Sequence, residues 1–191
     1  PPLLPICESG SEETPMGAPS LAELRLHQST VWLWNRPVYD PVDGGQLRIE
    51  MRALPAGPAP RDMVANAAFL VGLAEGIRPH VRDMLPAIPF GIAEYNFYRA
   101  AQFGLEAELV WPQRGQSGYR EQSVCALIER NLPLAAEGLA RIGVAQAEID
   151  LYLGEIESRL SRRRTGASWQ RAKLAALKQR LSSDEALHAM L

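Results

Sequence analysis

Between residues 46 and 52 polar and apolar side chains alternate without a break. Leu47, Ile49 and Met51 fall on one side of an extended chain, and Arg48, Glu50 and Arg52 on the other. This period of two predicts a strand over 46–52, closed by the segment LPAGPAP. A similar run lies upstream in HQSTVWLWNRP (27–37). There Thr30, Trp32, Trp34 and Arg36 alternate with Val31, Leu33 and Asn35, and Pro37 ends the run. Between the two, VYDPVDGG carries an Asp-Gly-Gly turn, where glycine tolerates positive φ. Strands so joined form an antiparallel pair, and their register decides whether Arg36 reaches the row Arg48, Glu50 and Arg52.

From Asp62 the pattern becomes helical. Residues 62–78, with Asp62 as the cap, contain few charges and are predicted to be largely buried. Their small residues Ala65, Ala67, Ala68, Gly72 and Ala74 would let another element approach closely. Pro79, Pro86 and Pro89 predict a loop, followed by a helix over about 93–103. A loop at 111–118 then leads into a helix over about 119–142, interrupted or restarted near Pro133. Helices over 145–164 and 167–191 follow, separated by Thr165-Gly166. Near the other end, residues 1–19 read as irregular, and Ser20 starts a short helix or turn with a Ser-x-x-Glu signature. A small antiparallel sheet followed by many helices is an α+β pattern, with residues 20–191 forming one lobe.

Composition narrows the classes. Hydrophobic residues make up 47% of the 191, enough for a packed core. A net charge of −2 with interspersed signs argues against a dedicated nucleic-acid binder. No apolar run reaches about 18 residues, so no membrane span is expected. Cys7 and Cys125 lack CxxC spacing, which speaks against a zinc site or disulfide framework and for a reducing cytoplasm. The N-terminal segment lacks signal-peptide character and an initiator Met, so the chain is expected to begin partway through a longer gene product.

Several residue sets are capable of chemistry. A carboxylate flanked at i±2 by guanidiniums, as Glu50 is by Arg48 and Arg52, favours its ionised form and suits a hard cation such as Mg²⁺. The arginines suit phosphate or carboxylate oxygens. The plainer reading is a sheet face washed by water, with ion pairs of little worth. Arg36, after two tryptophans, is either an anion clamp or a surface residue, and His27 either an acid/base group or an ordinary hydrogen-bonded one. Asn66 is a ligand-facing or a structural amide, and Asn96 with its aromatic neighbours reads as core. In SRRRTGASWQR (161–171), the run 162–164 reads as a solvated face, while Trp169 and Arg171 stand out beside a helix start. There is no GxSxG, no Walker-type loop and no HExxH, so hydrolase readings are weak.

Taken in order, HQSTVWLWNRP, LRIEMRALPAGP, DMVANAAFLVGLAEGI, NFYRAAQFGLEAELVWP and TGASWQR resemble the C-terminal part of the bacterial carboxylate–amine ligases related to glutamate–cysteine ligase. The resemblance covers roughly residues 27–171. A more distant similarity is to glutamine synthetase, through Asn35-Arg36, the Arg48-Ile49-Glu50-Met51-Arg52 strand and the helix from Asn66 to Ile77. The resemblance implies a glutamine-synthetase-like fold and a ligase using ATP and Mg²⁺. Such a ligase phosphorylates a carboxylate, typically the γ-carboxyl of glutamate, and an amine such as cysteine then displaces the phosphate. It makes Glu50 the metal ligand and Arg52 and Arg36 the catalytic cations. Arg48, Asn35, His27, Asn66 and Arg171 become candidates for binding substrate or phosphate. The family's N-terminal portion is missing from this stretch, so the isolated piece is expected to be inactive, and its sheet edge could pair with a second copy. The alternative is a non-catalytic helical assembly module that keeps the ligase fold.

Overall fold

The computed structural model describes residues 17–30, 35–54, 57–113 and 118–190, with the backbone alone for 27–30. The architecture is α+β: mostly helices, with two small antiparallel sheets. The chain divides into two compact units, Pro1–Pro55 and Ala56–Leu191.

In the first unit, helix α1 (Ala22–Thr30) precedes strands β1 (Asn35–Asp40) and β2 (Gln46–Met51). The expected strand over 27–37 is thus corrected at both ends. Residues 27–30 are helical, and Pro37 lies inside β1 instead of ending it. A two-stranded sheet has only edge strands, where a missing backbone donor is tolerated. Residues 31–34, with both tryptophans of that run, lie outside the described residues. The antiparallel pairing is as expected, and its register sets Arg36 opposite Glu50, Val38 opposite Arg48 and Tyr39 opposite Leu47. The turn is a short 3-10 segment in which Asp43, Gly44 and Gly45 all have positive φ, at 53°, 87° and 85°. Tyr39 is buried and donates its hydroxyl to the Pro19 carbonyl (2.6 Å). A side chain at Gly45 would collide with that hydroxyl, so the turn is tailored to the tyrosine.

The second unit is built on α2 (Pro60–Ile77), α5 (Val124–Arg141) and α6 (Gln146–Ser161). Its core joins Ala65 of α2, Cys125, Leu132, Ala135 and Leu139 of α5, and Ile149, Leu153, Ile156 and Leu160 of α6. Spacings of three, four and seven residues put each set on one helix face. Along the α2–α5 crossing, glycines replace side chains. A methyl group at Gly138 would overlap the Gly72 carbonyl oxygen, and one at Gly72 or Gly76 would overlap the Ala135 or Leu134 carbonyl. The close approach expected from α2's small residues is realised here. The expectation that α2 is largely buried is not met: Met63, Val64 and Val71 are exposed, and burial is confined to the Ala65–Gly72–Gly76 stripe.

Between α2 and α5 the proline-rich stretch is not a loop. It forms a 3-10 turn (Arg78–His80) and a short helix α3 (Val81–Ala87), with Pro86 in its last turn, and Pro89 caps α4 (Phe90–Phe103). Residues 119–123 are likewise strand, not helix. Strand β3 (Glu108–Pro112) pairs with β4 (Tyr119–Ser123), Trp111 facing Arg120. Pro133 does not interrupt α5, which runs through it. The lost backbone bond is offset by the buried Leu132 and Ala135 on either side. The C-terminal stretch holds two helices, α7 (Gly166–Lys178) and α8 (Ser183–His188), not one. Each opens with a capping box, Thr165 with Ser168 and Ser182 with Glu185. No described helix is long and apolar enough to cross a membrane.

Candidate functional site

The antiparallel register gathers charge on one face of the β1–β2 hairpin. Arg36 and Glu50, directly opposite, form an ion pair through Nε and Oε2. Arg52, just past the end of β2, brings its Nε to 4.0 Å from the same oxygen. Its backbone N–H donates to Asn35 Oδ1 (3.3 Å), which ties the chain leaving β2 to the start of β1. One carboxylate therefore lies between two guanidiniums, one from β1 and one from the segment that leaves β2. Arg48, on the same face opposite Val38, is exposed.

Exposure is mixed on both faces: Tyr39, opposite Leu47, is buried, and on the charged face Arg48 is exposed. Leu47 and Ile49, on the opposite face, are 66% and 57% exposed, whereas the Arg36 and Arg52 side chains are 24% and 28% exposed. Glu50 retains 42%, enough for water to screen its ion pairs to about 1 kcal/mol or less each. The cluster thus adds little to stability. What it provides is two cations and one oxygen donor within a few ångströms, a set able to meet a phosphoryl or carboxylate group.

The remaining candidates are dispersed. His27 lies on α1, but its side chain is outside the described residues. Asn66 and Arg171 belong to the helical unit. Asn66 accepts from Arg159 Nη1 (2.6 Å), a structural use of its amide. Arg171 is exposed on α7. Asp62 is not the α2 cap: Ala59 holds that position, and Asp62, in the first turn, accepts from Arg159 Nη2 at 2.8 Å.

Sequence reasoning passed over Arg159, which links α6 to Asp62 and Asn66 of α2. A lone arginine in a helical stretch gave no signal, because its acceptors lie far away in sequence. It also passed over a cavity of about 800 Å³ between the hairpin β3–β4, α3 and α5, lined by Trp111, Arg120 and Arg130 together with apolar residues that include Leu73 and Ile77. Sequence pattern alone predicts loop and helix over 111–123, where the structure has most of the hairpin that forms one wall.

Among the described residues no group of three or more His, Cys, Asp or Glu side chains is placed to hold a metal ion. Comparison with protein-family models, with curated proteins and with solved structures finds no match.

Proposed function

We propose that this chain supplies the phosphate-handling strands of an ATP- and Mg²⁺-dependent carboxylate–amine ligase that works through an acyl-phosphate. The acid substrate would be the γ-carboxyl of glutamate, and the amine one such as cysteine. The observation that carries the reading is the convergence of Arg36 and Arg52 on Glu50. It joins the Asn35-Arg36 and Arg-x-Glu-x-Arg segments, two of the motifs that carry the family resemblance.

Phosphoryl transfer between bound substrates needs alignment and positive charge on the transferring oxygens, and no protein nucleophile. Arg36 and Arg52 meet the charge requirement from two directions. Mg²⁺ keeps much of its shell as water and phosphate oxygens, so a single protein carboxylate suits it. Glu50 is the donor that would hold it, and the ion would neutralise charge between adjacent phosphates. Further donors would have to come from outside the described residues. With phosphate present, the two guanidiniums would exchange part of their contact with Glu50 for phosphoryl oxygens.

The test is phosphate release by the full-length gene product, given ATP, Mg²⁺ and pairwise combinations of acids and amines. Release should require both an acid and an amine. Glu50→Gln should lower it at least about a hundredfold, the scale on which transition-state electrostatics operates, with an unchanged circular dichroism spectrum. Turnover that survives Glu50→Gln would refute the assignment.

A second reading draws on the exposure of Leu47 and Ile49. A strand pair with exposed apolar side chains also suits a non-catalytic assembly module, in which Arg36–Glu50 only fixes the register. In that case no acid–amine pair elicits phosphate release, and Leu47→Glu changes the oligomeric state.

A further inference from the structure

Three segments of the helical unit, remote in sequence, line an open cavity of about 310 Å³. Pro58, ahead of α2, and Asp62, in its first turn, form one side. Arg159, Arg162 and Arg164, from the end of α6 and the turn after it, form another, and Trp169 of α7 closes the third. Pro58 stands so near Gly166 that a methyl group there would lie 3.2 Å from the proline Cδ. Pro58 and the Thr165-Gly166 turn therefore meet at this place.

The charges in the wall are unequal in their commitments. Arg159 is held by Asn66 Oδ1 (2.6 Å), Asp62 Oδ1 (2.8 Å) and the Asp62 carbonyl (3.1 Å), and its side chain is only 19% exposed. It is a scaffold whose charge Asp62 already answers. Glu155, also in the wall, is matched by Arg61 at 3.3 Å. Among the described residues neither Arg162 nor Arg164 has a hydrogen-bond or ion-pair partner for its guanidinium. Both residues are exposed, and they leave two unanswered positive charges in the lining of one small cavity.

The backbone explains why these two arginines share the cavity and the one between them does not. Arg163 has φ +46°, in the left-handed region. The N–H of Arg164 bonds the Arg159 carbonyl and that of Arg163 the Leu160 carbonyl, both at 3.0 Å, a Schellman turn with arginine where glycine is usual. Arg163 is carried off to Glu106, 2.9 Å from its Nη2. The first turn of α7 is not the source of the charge. Its capping box already engages Thr165 and Ser168 with each other.

We propose that this cavity binds a small molecule through an oxyanion, a phosphate or a carboxylate, gripped by Arg162 and Arg164, with the body of the ligand against Trp169 and Pro58. Unpaired guanidiniums above a fixed scaffold and beside an indole wall suit this chemistry, and the volume limits it to a compact ligand. The site uses none of the hairpin residues, so its binding test is distinct from the turnover test of the ligase reading.

The test is a fluorescence titration of the full chain at constant ionic strength, using pyrophosphate, inorganic phosphate and glutarate. Trp169→Phe serves to isolate the Trp169 signal, and calorimetry gives a second measure of affinity. A saturable response is expected that vanishes from the fluorescence of Trp169→Phe. The double variant Arg162→Ala/Arg164→Ala should weaken binding about tenfold or more. Arg163→Ala, equal in charge to either single change but aimed elsewhere, should leave it within about twofold. Saturation by pyrophosphate or phosphate assigns a phosphate ligand, and saturation by glutarate a carboxylate. No saturable response to any probe, or equal weakening by Arg163→Ala, would overturn the proposal.

Discussion

Asn96 and Val110 exchange two hydrogen bonds, both 2.8 Å: the side-chain amide donates to the Val110 carbonyl and accepts from its N–H. A helix side chain thereby acts as the missing neighbour of β3 and satisfies the free edge of a two-stranded hairpin. Asn96 is buried for this reason, unlike Tyr95 and Tyr98, which are exposed on either side of it. Asn96→Ala should lower unfolding free energy by about 2–4 kcal/mol, since two backbone groups lose their partners. Urea denaturation measures the loss, and a change below 1 kcal/mol, roughly one ordinary hydrogen bond, would contradict this account.

The glycines of α5 and α6 should respond in opposite directions to the same substitution. Gly138→Ala drives a methyl into the Gly72 carbonyl of α2 and should cost about 3 kcal/mol or more. Nothing lies within 4 Å of a methyl at Gly154, inside α6. There the change should stabilise by about 0.5–1 kcal/mol, through reduced freedom of the unfolded chain. Chemical denaturation of both variants checks the pair.

Arg163 occupies a left-handed position at which glycine carries no steric penalty. Arg163→Gly should raise the melting temperature, despite loss of the Glu106 contact, because both partners of that contact are more than half exposed. Arg163→Ala keeps the backbone strain and loses the contact, so it should lower the melting temperature slightly. Scanning calorimetry on the two variants separates backbone from charge.

The start of α8 should depend on pH. Glu185 accepts from the Ser182 hydroxyl (2.7 Å) and the Ser182 N–H (2.9 Å), and these bonds hold its carboxyl below the usual glutamate range. A lowered folded value means that the stabilisation is complete above the ordinary glutamate value and disappears as pH falls through the lowered one. Amide exchange at Glu185 and Ala186 should therefore gain on the rest of the chain only in that acidic interval. In Ser182→Ala the gain should be absent, because the protection is already lost at neutral pH.

How far the sequence was legible depends on the range of the interactions involved. The β1–β2 pairing and its Asp-Gly-Gly turn were readable because period-two alternation and positive-φ residues are local signals. The α2 stripe of small residues was readable as a close-packing face for the same reason. Strand β4 was not: Tyr119-Arg-Glu-Gln-Ser is short and polar, and it exists through its pairing with β3, which Asn96 anchors from a helix. By local rules Pro133 costs a hydrogen bond and predicts an interruption or restart of the helix, whereas tertiary packing keeps α5 whole. At the charged hairpin the residue types were legible, and the register that joins Arg36 to Glu50 needed the fold. The cavity of Arg162 and Arg164 was hidden by a left-handed arginine, a conformation that composition does not announce.

The three glycines of the α2–α5 crossing act as a notch and key. With carbonyls set against bare Cα atoms, α2 has no clearance to turn about its axis or to slip by a residue along α5. Asp62 and Asn66, near one end of α2, are therefore held as if on a fixed bracket, and the orientation of Arg159 is decided at a contact about two to four helical turns away. A methyl group added at the notch would thus disturb a guanidinium it never touches.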